Sequence, residues 1–291
     1  MFIKRNHTKL LLIFTVIAMR SLGACGLKKT SGSDELSLNG SELSVRYIDV
    51  GQGDCELIML PDGRNIVIDG GTGKTESELV AKIKSYGVEK LDYVIATHPH
   101  EDHIGGLDKV VESFEISNVC MPYVSASTRA FERFAAAVKE SGAEVIEAKA
   151  GVKIIDEKNV KAEFIAPNSE SYKSLNNYSA VLKFTYGTVT FLFTGDAEKE
   201  SENEILSNGY NPKCDILKVG HHGSKTSTSP AFVSAANPKA AVIEVGKDNS
   251  YGHPSPSTLE NLKDCSIYRT DENGTVTVVC DGKAFKIYTE K

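Results

Sequence analysis

Six of the seven histidines in this chain fall into three short clusters: His98, His100 and His103; His221 and His222; and His253. The first reads Thr97-His98-Pro99-His100-Glu101-Asp102-His103-Ile104-Gly105-Gly106. Imidazoles and carboxylates at that density do not make an ordinary apolar core, because buried polar groups need partners. A fold that keeps them must aim them at water, at a substrate or at a cation. Imidazole with carboxylate is the usual ligand set for zinc and similar divalent ions.

The spacing sharpens that reading. His98 and His100 are two apart, which on an extended segment puts both side chains on one side, where they can hold one ion together. Pro99 restrains the loop between them. Asp102 and His103 are adjacent and can face a second ion from the following turn. Two ions ~3.5–4 Å apart can share a hydroxide and clamp both oxygens of a phosphoryl displacement. Gly105-Gly106 lets the backbone pass close to the site before the next helix.

Other carboxylates and histidines sit where strands end. Asp69 closes Ile66-Val67-Ile68 and can orient a metal histidine from behind. Asp54 can do the same, or cap a turn. Asp196 closes Phe191-Leu192-Phe193-Thr194-Gly195, and its two oxygens can bridge two cations. The pair His221-His222 follows an apolar strand. Successive side chains at a strand end diverge, so one is expected to ligate and the other to touch substrate or act as a general acid. Ser224, Lys225, Thr226 and Ser227 offer hydroxyls and an ammonium suited to phosphate oxygens, or simply cap the next helix. His253, in Tyr251-Gly252-His253-Pro254, can close the metal shell or give a proton to a leaving group.

The N-terminus reads as an export signal over residues 1–24, basic at Lys4, Arg5 and Lys9 and apolar from Leu10 to Met19. That apolar run is far short of the ~20 residues a membrane-spanning helix needs. Leu22-Gly23-Ala24-Cys25 resembles the bacterial lipoprotein processing box, which would anchor the chain to the membrane through lipid on Cys25. Plain secretion is the alternative. Residues 25–42 are rich in Ser, Gly, Lys and Asp and read as a flexible tether. Removing the signal takes four of the 33 basic residues and none of the 39 acidic ones, leaving a net charge of about −10. Such a balance argues against a strongly basic surface gripping nucleic acid without specificity and leaves room for a local basic groove. Five cysteines remain beyond Cys25 and show no Cys-x-x-Cys spacing, so no thiolate metal site is expected. Cys265 and Cys280 flank a turn signal at residues 271–274 and could pair.

Residues 43–291 form one unit in this reading. Strands are expected at Leu43–Val50, Asp54–Leu60 and Asn65–Asp69, then strands alternating with helices. The pattern recurs loosely after residue 150, and three paired strands close the chain at Ser266–Thr270, Thr275–Cys280 and Ala284–Tyr288. Periodicity leaves open a single α/β sheet or two mixed sheets packed face to face with helices outside, an αββα sandwich.

The series His98-x-His100-x-Asp102-His103, Asp196 and His221-His222 resembles the metallo-β-lactamase superfamily. The segments Asp49-Val50-Gly51-Gln52-Gly53-Asp54, Asn176-Asn177-Tyr178-Ser179-Ala180-Val181-Leu182, Leu217-Lys218-Val219-Gly220-His221-His222-Gly223-Ser224 and Tyr251-Gly252-His253-Pro254 are most similar to the metal-hydrolase domain of bacterial competence (DNA-uptake) proteins. The resemblance implies the αββα fold and two divalent ions, zinc or manganese. His98, His100, Asp102, His103, Asp196, His221 and His222 would be the candidate ligands, and Asp102, His222, His253 and Lys225 would carry catalysis. It departs from many members in having no histidine between His103 and His221, which puts full occupancy of the first metal position in question. The expected function is hydrolysis of a phosphodiester by metal-bound hydroxide. A single DNA strand or a wall teichoic-acid ester would be the substrate, with no obligate protein partner. A lactam, lactone or thioester hydrolase and a non-catalytic DNA-binding surface protein are the alternatives.

Overall fold

The computed structural model describes residues 42–291. The export signal, Cys25 and the tether up to residue 41 lie outside the described residues.

Strands buried on both faces carry apolar residues on each, and the first strands do. β1 (Leu43–Tyr47), β2 (Glu56–Met59) and β3 (Asn65–Ile68) pair antiparallel in that order. Ile58, Ile66 and Ile68 turn to one face, Leu57 and Val67 to the other, and all are buried. α1 (Glu76–Ser85) then leads to β4 (Lys90–Ile95), parallel to β3. α2 (Glu101–Ile104) and α3 (Leu107–Ser113) lead to β5 (Glu115–Met121), and α4 (Arg129–Ser141) to β6 (Glu144–Glu147), again in parallel. α4 illustrates how these helices start and stop. The Thr128 side chain accepts a hydrogen bond from the Phe131 N–H, and Ala130, Phe134, Ala137 and Val138 form a buried stripe. Gly142 ends the helix at φ 70°.

The second half repeats this order. β7 (Lys153–Asp156), β8 (Val160–Ala166), β9 (Val181–Tyr186) and β10 (Val189–Phe193) pair antiparallel. α5 (Lys199–Ser207), β11 (Ile216–Lys218), α6 (Pro230–Ala236), β12 (Ala240–Ile243), α7 (Pro256–Asn261) and β13 (Ser266–Arg269) follow, with the strands parallel. A short α8 (Thr270–Asn273) returns the chain to β14 (Val276–Cys280) and β15 (Phe285–Thr289), which join β1. One sheet runs β15-β14-β1-β2-β3-β4-β5-β6 and the other β13-β12-β11-β10-β9-β8-β7.

A single apolar cluster between the sheets joins Tyr47, Ile58 and Ile68 to Phe164, Phe184, Phe191 and Phe193. Separate clusters lie between each sheet and its own helices. The fold is therefore the αββα sandwich, with both sheets buried on two faces.

The end of the chain departs from the sequence reading. β13 does not pair with β14; it is the edge of the second sheet beside β12, while β14 and β15 belong to the first. The Asp271–Asn273 segment is helical rather than a hairpin turn, so it carries the chain from one sheet to the other. That move separates Cys265 from Cys280, and both are free thiols. Most strands also stop short of their apolar runs; β1 ends at Tyr47 rather than residue 50.

Phe191 is fully buried, at 6.2 Å from the Phe184 ring and 6.4 Å from Phe193. Phe191→Ala is expected to cost about 3–5 kcal/mol of stability in urea denaturation, the usual range for emptying an aromatic core position.

Candidate metal centre

The parallel strands deliver the site. β3 ends at Asp69, β4 at the first histidine cluster, β10 at Asp196, β11 at His221-His222 and β12 at Glu244, so the centre collects at the C-terminal ends of strands from both sheets. His98 and Pro99 follow β4 in a bend. His100 is the N-cap of α2 with φ −77° and ψ 149°, which places Asp102 and His103 in the first helical turn. Two backbones must come very close for this. Gly53 has φ 143°, and a Cβ there would meet the Asp102 carbonyl at 2.3 Å; a Cβ on Gly106 would meet the Gly70 carbonyl at 2.4 Å. Glycine is required at both.

Asp196, 2 % exposed, presents a different oxygen to each of two groups. On one side His98 Nε2 and His221 Nε2 lie 3.8 and 3.6 Å from Oδ2, and His98 Nε2 is 2.9 Å from His100 Nδ1. On the other, His103 Nε2 and His222 Nε2 lie 3.2 and 3.7 Å from Oδ1, and His222 Nε2 is 3.2 Å from Asp102 Oδ2. The sets His98/His103/Asp196 and Asp102/His103/His222 each bring three ligand atoms within 4.8 Å of one another. His103 Nε2 and Asp196 Oδ1 are buried without a hydrogen-bond partner. Unpartnered buried donors converging this way are what a cation would satisfy, so the residues fit a pair of divalent ions.

The opposite ring nitrogens are tied back. His103 Nδ1 donates to Asp69 Oδ2 at 2.7 Å. Thr97 Oγ1 donates to the same carboxylate at 2.6 Å and lies 3.1 Å from His98 Nδ1, from which it accepts. His222 Nδ1 donates to the Glu244 carbonyl at 2.9 Å; Asp54 Oδ1 is 3.1 Å from that nitrogen but off the donor direction, and contributes charge rather than a second bond. Each tie orients its ring and turns Nε2 toward Asp196 and its neighbours. Asp69 holds φ 54° to reach its place, an uncommon conformation for a non-glycine residue.

Both His221 and His222 adopt left-handed backbone, φ 52° and 53°. The two rings approach different oxygens of Asp196, His221 Nε2 toward Oδ2 and His222 Nε2 toward Oδ1. The stretch with no histidine also has work. Ser179 Oγ accepts from the Asp196 N–H at 3.0 Å and lies 3.4 Å from His98 Nδ1. Asn177 Oδ1 accepts from the N–H groups of Glu198 and Ser201 at the start of α5.

Burial alone would push the Asp196 carboxyl up, but His103, His222 and His98 outweigh it and hold it well below the usual carboxylate range. Burial works against the charged His222 ring too, yet Asp196 and Asp54 raise it to about 10. Desolvation dominates at His98 and His100, with His103 adding to it, and lowers both.

His253 completes one wall, its ring 5.6 Å from His221 and 6.5 Å from His222. Lys225 is exposed on the turn after the histidine pair and makes no hydrogen bond or ion pair among the described residues. Ser224 is buried, its Oγ within 3.0 Å of Thr226 Oγ1, and Ser229 caps α6; Thr226 Oγ1 in turn lies 3.2 Å from His221 Nδ1, so this turn holds the His221 ring.

Behind the ligands lies a layer that the histidine pattern did not disclose. Lys218, fully buried, contacts the Asp54 carboxylate directly and lies 3.4 Å from the Gly195 carbonyl. Asp54 sits 3.6 Å from His103 Nδ1. Glu56 and Glu244, also fully buried, close the other side, with Asp54, Glu56 and Glu244 offering oxygens within 4.8 Å of one another. Burial and the Asp54 charge push Glu244 up to about 8, and burial with Glu244 pushes Glu56 well above its ordinary value. The signal was present as charged residues inside apolar strands: Ile216-Leu217-Lys218-Val219 and Val242-Ile243-Glu244-Val245.

Residues 48–246 match the Metallo-beta-lactamase superfamily. The chain belongs to that superfamily. It is 35% identical over 255 residues to ComE operon protein 3 of Bacillus subtilis (strain 168), covering 81% of this chain and 33% of the relative. With Competence protein ComA of Neisseria gonorrhoeae it shares 27% over 240 residues, 81% of this chain and 32% of the relative. The chain thus spans about a third of the length of these curated relatives. Among solved structures it is similar to the metallo-beta-lactamase fold protein YhfI from Bacillus subtilis, at TM-score 0.56 and 11% identity over 81% of this chain and 99% of that one. It is also similar to CmlA, a diiron beta-hydroxylase from Streptomyces venezuelae, at TM-score 0.53 and 13% identity over 81% and 54%. Likeness at such identity establishes the metallo-β-lactamase fold alone.

Lys218→Met would leave Asp54 buried beside two further carboxylates without its cation. Removing one partner of a buried pair costs about 3–5 kcal/mol, and urea denaturation in chelator should show it. A loss below about 1 kcal/mol would mean that the ammonium is not what keeps Asp54 charged.

Proposed function

We propose that this domain is a metal-dependent phosphodiesterase. The observation that carries the proposal is Asp196, with one oxygen toward His98 and His221 and the other toward His103 and His222. His98, His100, His221 and Asp196 would hold one divalent ion; Asp102, His103, His222 and Asp196 would hold the other. Zinc or manganese suits a donor set of imidazole and carboxylate without thiolate. Bound there, the ions would supply Lewis acidity, activating water and neutralising charge on a phosphoryl oxygen.

The chain's own residues supply orientation. Asp69, Thr97 and the Glu244 carbonyl hold the histidine rings. Burial, with His221 and His222 nearby, keeps the His253 pKa below the ordinary imidazole value. His253, in the wall of the centre, is placed to hydrogen-bond a leaving oxygen. Lys225 offers an exposed ammonium to an anionic substrate. The likeness to competence proteins favours a single DNA strand as substrate over a teichoic-acid ester.

Turnover of bis-p-nitrophenyl phosphate by metal-loaded protein tests the reading. Chelator should abolish it, and His100→Ala and Asp196→Ala should each lower it by more than about 100-fold, since even partners behind metal ligands act at that level. Turnover of a lactam or thioester in place of the diester would favour the other hydrolase reading. DNA binding insensitive to chelator, with no turnover, would identify a binding protein.

We also propose export and a lipid anchor on Cys25, supported by the apolar segment and Leu22-Gly23-Ala24-Cys25. Fatty-acid labelling of the protein in cells should disappear in Cys25→Ala; labelling that persists would rule out this anchor.

A further inference from the structure

Among the described residues three large apolar side chains stand exposed: Tyr123, Val145 and Tyr251. Tyr123 borders a cleft whose one lysine, Lys149, is paired with Glu147 and which also holds Glu170, so it offers no free cation to a phosphate chain. Tyr251 differs. It is 68% exposed, and its ring stacks on His253 at 5.8 Å and 23°. His253 in turn stacks on His222 at 6.5 Å and 27°. One face of Tyr251 is thus covered by a ring that leads directly to the metal centre, and the rest stands open.

The backbone that carries the ring is held in place. Asn249 Oδ1 accepts from the Tyr251 and His253 N–H groups at 3.2 and 3.0 Å, and Asn249 Nδ2 donates to the His253 carbonyl at 2.7 Å. The loop is pinned to the histidine turn, the Ser255 N–H donating to the Gly223 carbonyl at 2.8 Å. Lys225 and Lys247, exposed and outside every ion pair among the described residues, lie on these two loops. An exposed aromatic face with free ammoniums on the loops around it matches a ligand of planar bases on an anionic backbone. Base–aromatic stacking tolerates any base. The same ammoniums disfavour a quaternary ammonium, the other ligand an exposed tyrosine attracts.

We infer that Tyr251 is the stacking platform of a flanking-nucleotide subsite, taking a base of a single-stranded nucleic acid whose backbone crosses the metal centre. Two stacked rings separate its open face from His222, so the base belongs to a nucleotide beyond the one attacked. The inference rests on the phosphodiesterase reading. A small diester does not extend that far, so turnover of bis-p-nitrophenyl phosphate reports on that reading alone.

The test is binding of a short phosphorothioate-linked thymidine oligonucleotide to the metal-loaded full chain by fluorescence anisotropy, beside an abasic chain of equal length and charge. The wild type should prefer the thymidine oligonucleotide by about tenfold. Tyr251→Ala should bind both equally, and Tyr251→Phe should restore the preference. An unchanged preference in Tyr251→Ala overturns the inference, as does a wild type that does not distinguish the chains. It is also overturned if Tyr251→Ala instead weakens binding of phosphorylcholine.

Discussion

A carboxylate that faces four imidazoles organises this molecule. Asp196 is almost fully buried, and His103, His222 and His98 around it hold its carboxyl well below the usual carboxylate range against the effect of burial. Those rings are useful only if they present the correct nitrogen, so each is held from behind by Asp69, Thr97 or the Glu244 carbonyl. The two sheets follow from this demand. No single strand can bring these groups together, whereas the C-terminal ends of β3, β4, β10, β11 and β12 meet where the sheets face each other.

A polar centre of this density needs charge compensation in the layer beneath it. Lys218 supplies a cation to Asp54, which lies within reach of two of the metal-side histidines. Glu56 and Glu244 border the same ammonium, and their raised pKa values are the consequence of crowding carboxylates away from water. This layer links the first sheet to the second by electrostatics as well as by apolar packing. It also shows that the motif Asp49–Asp54 does more than turn the chain, since Gly53 admits the Asp102 backbone while Asp54 faces the histidines.

The fold and the metal ligands do not choose the reaction. A diiron beta-hydroxylase shares the architecture, so specificity must come from what surrounds the centre. Here that surround is the His253 wall, the exposed Lys225 and the open Tyr251 face. The chain covers about a third of its competence relatives, so what those longer proteins do does not pass to it by similarity alone.

Much of this was legible along the chain. Alternating and continuous apolar runs locate the strands, and the spacing of His98, His100, Asp102 and His103 marks a cluster of potential ligands, because proximity of that kind is local. Asp196 and Asp69 were legible as carboxylates closing apolar strands. The partners of those strands were not. That β13 leaves β14 for the other sheet, keeping Cys265 from Cys280, depends on which edge offers an open backbone, a property of the assembled sheets. Likewise the approach of His221 and His222 to different oxygens of Asp196 goes with left-handed backbone at both positions. The use of Lys218 to neutralise Asp54 required two strands from different sheets to meet. The sequence by itself determined the chemistry available, since side-chain types and short spacings are carried in the chain. Tertiary structure alone decided which groups touch, since buried charge is tolerated only where distant residues converge to balance it.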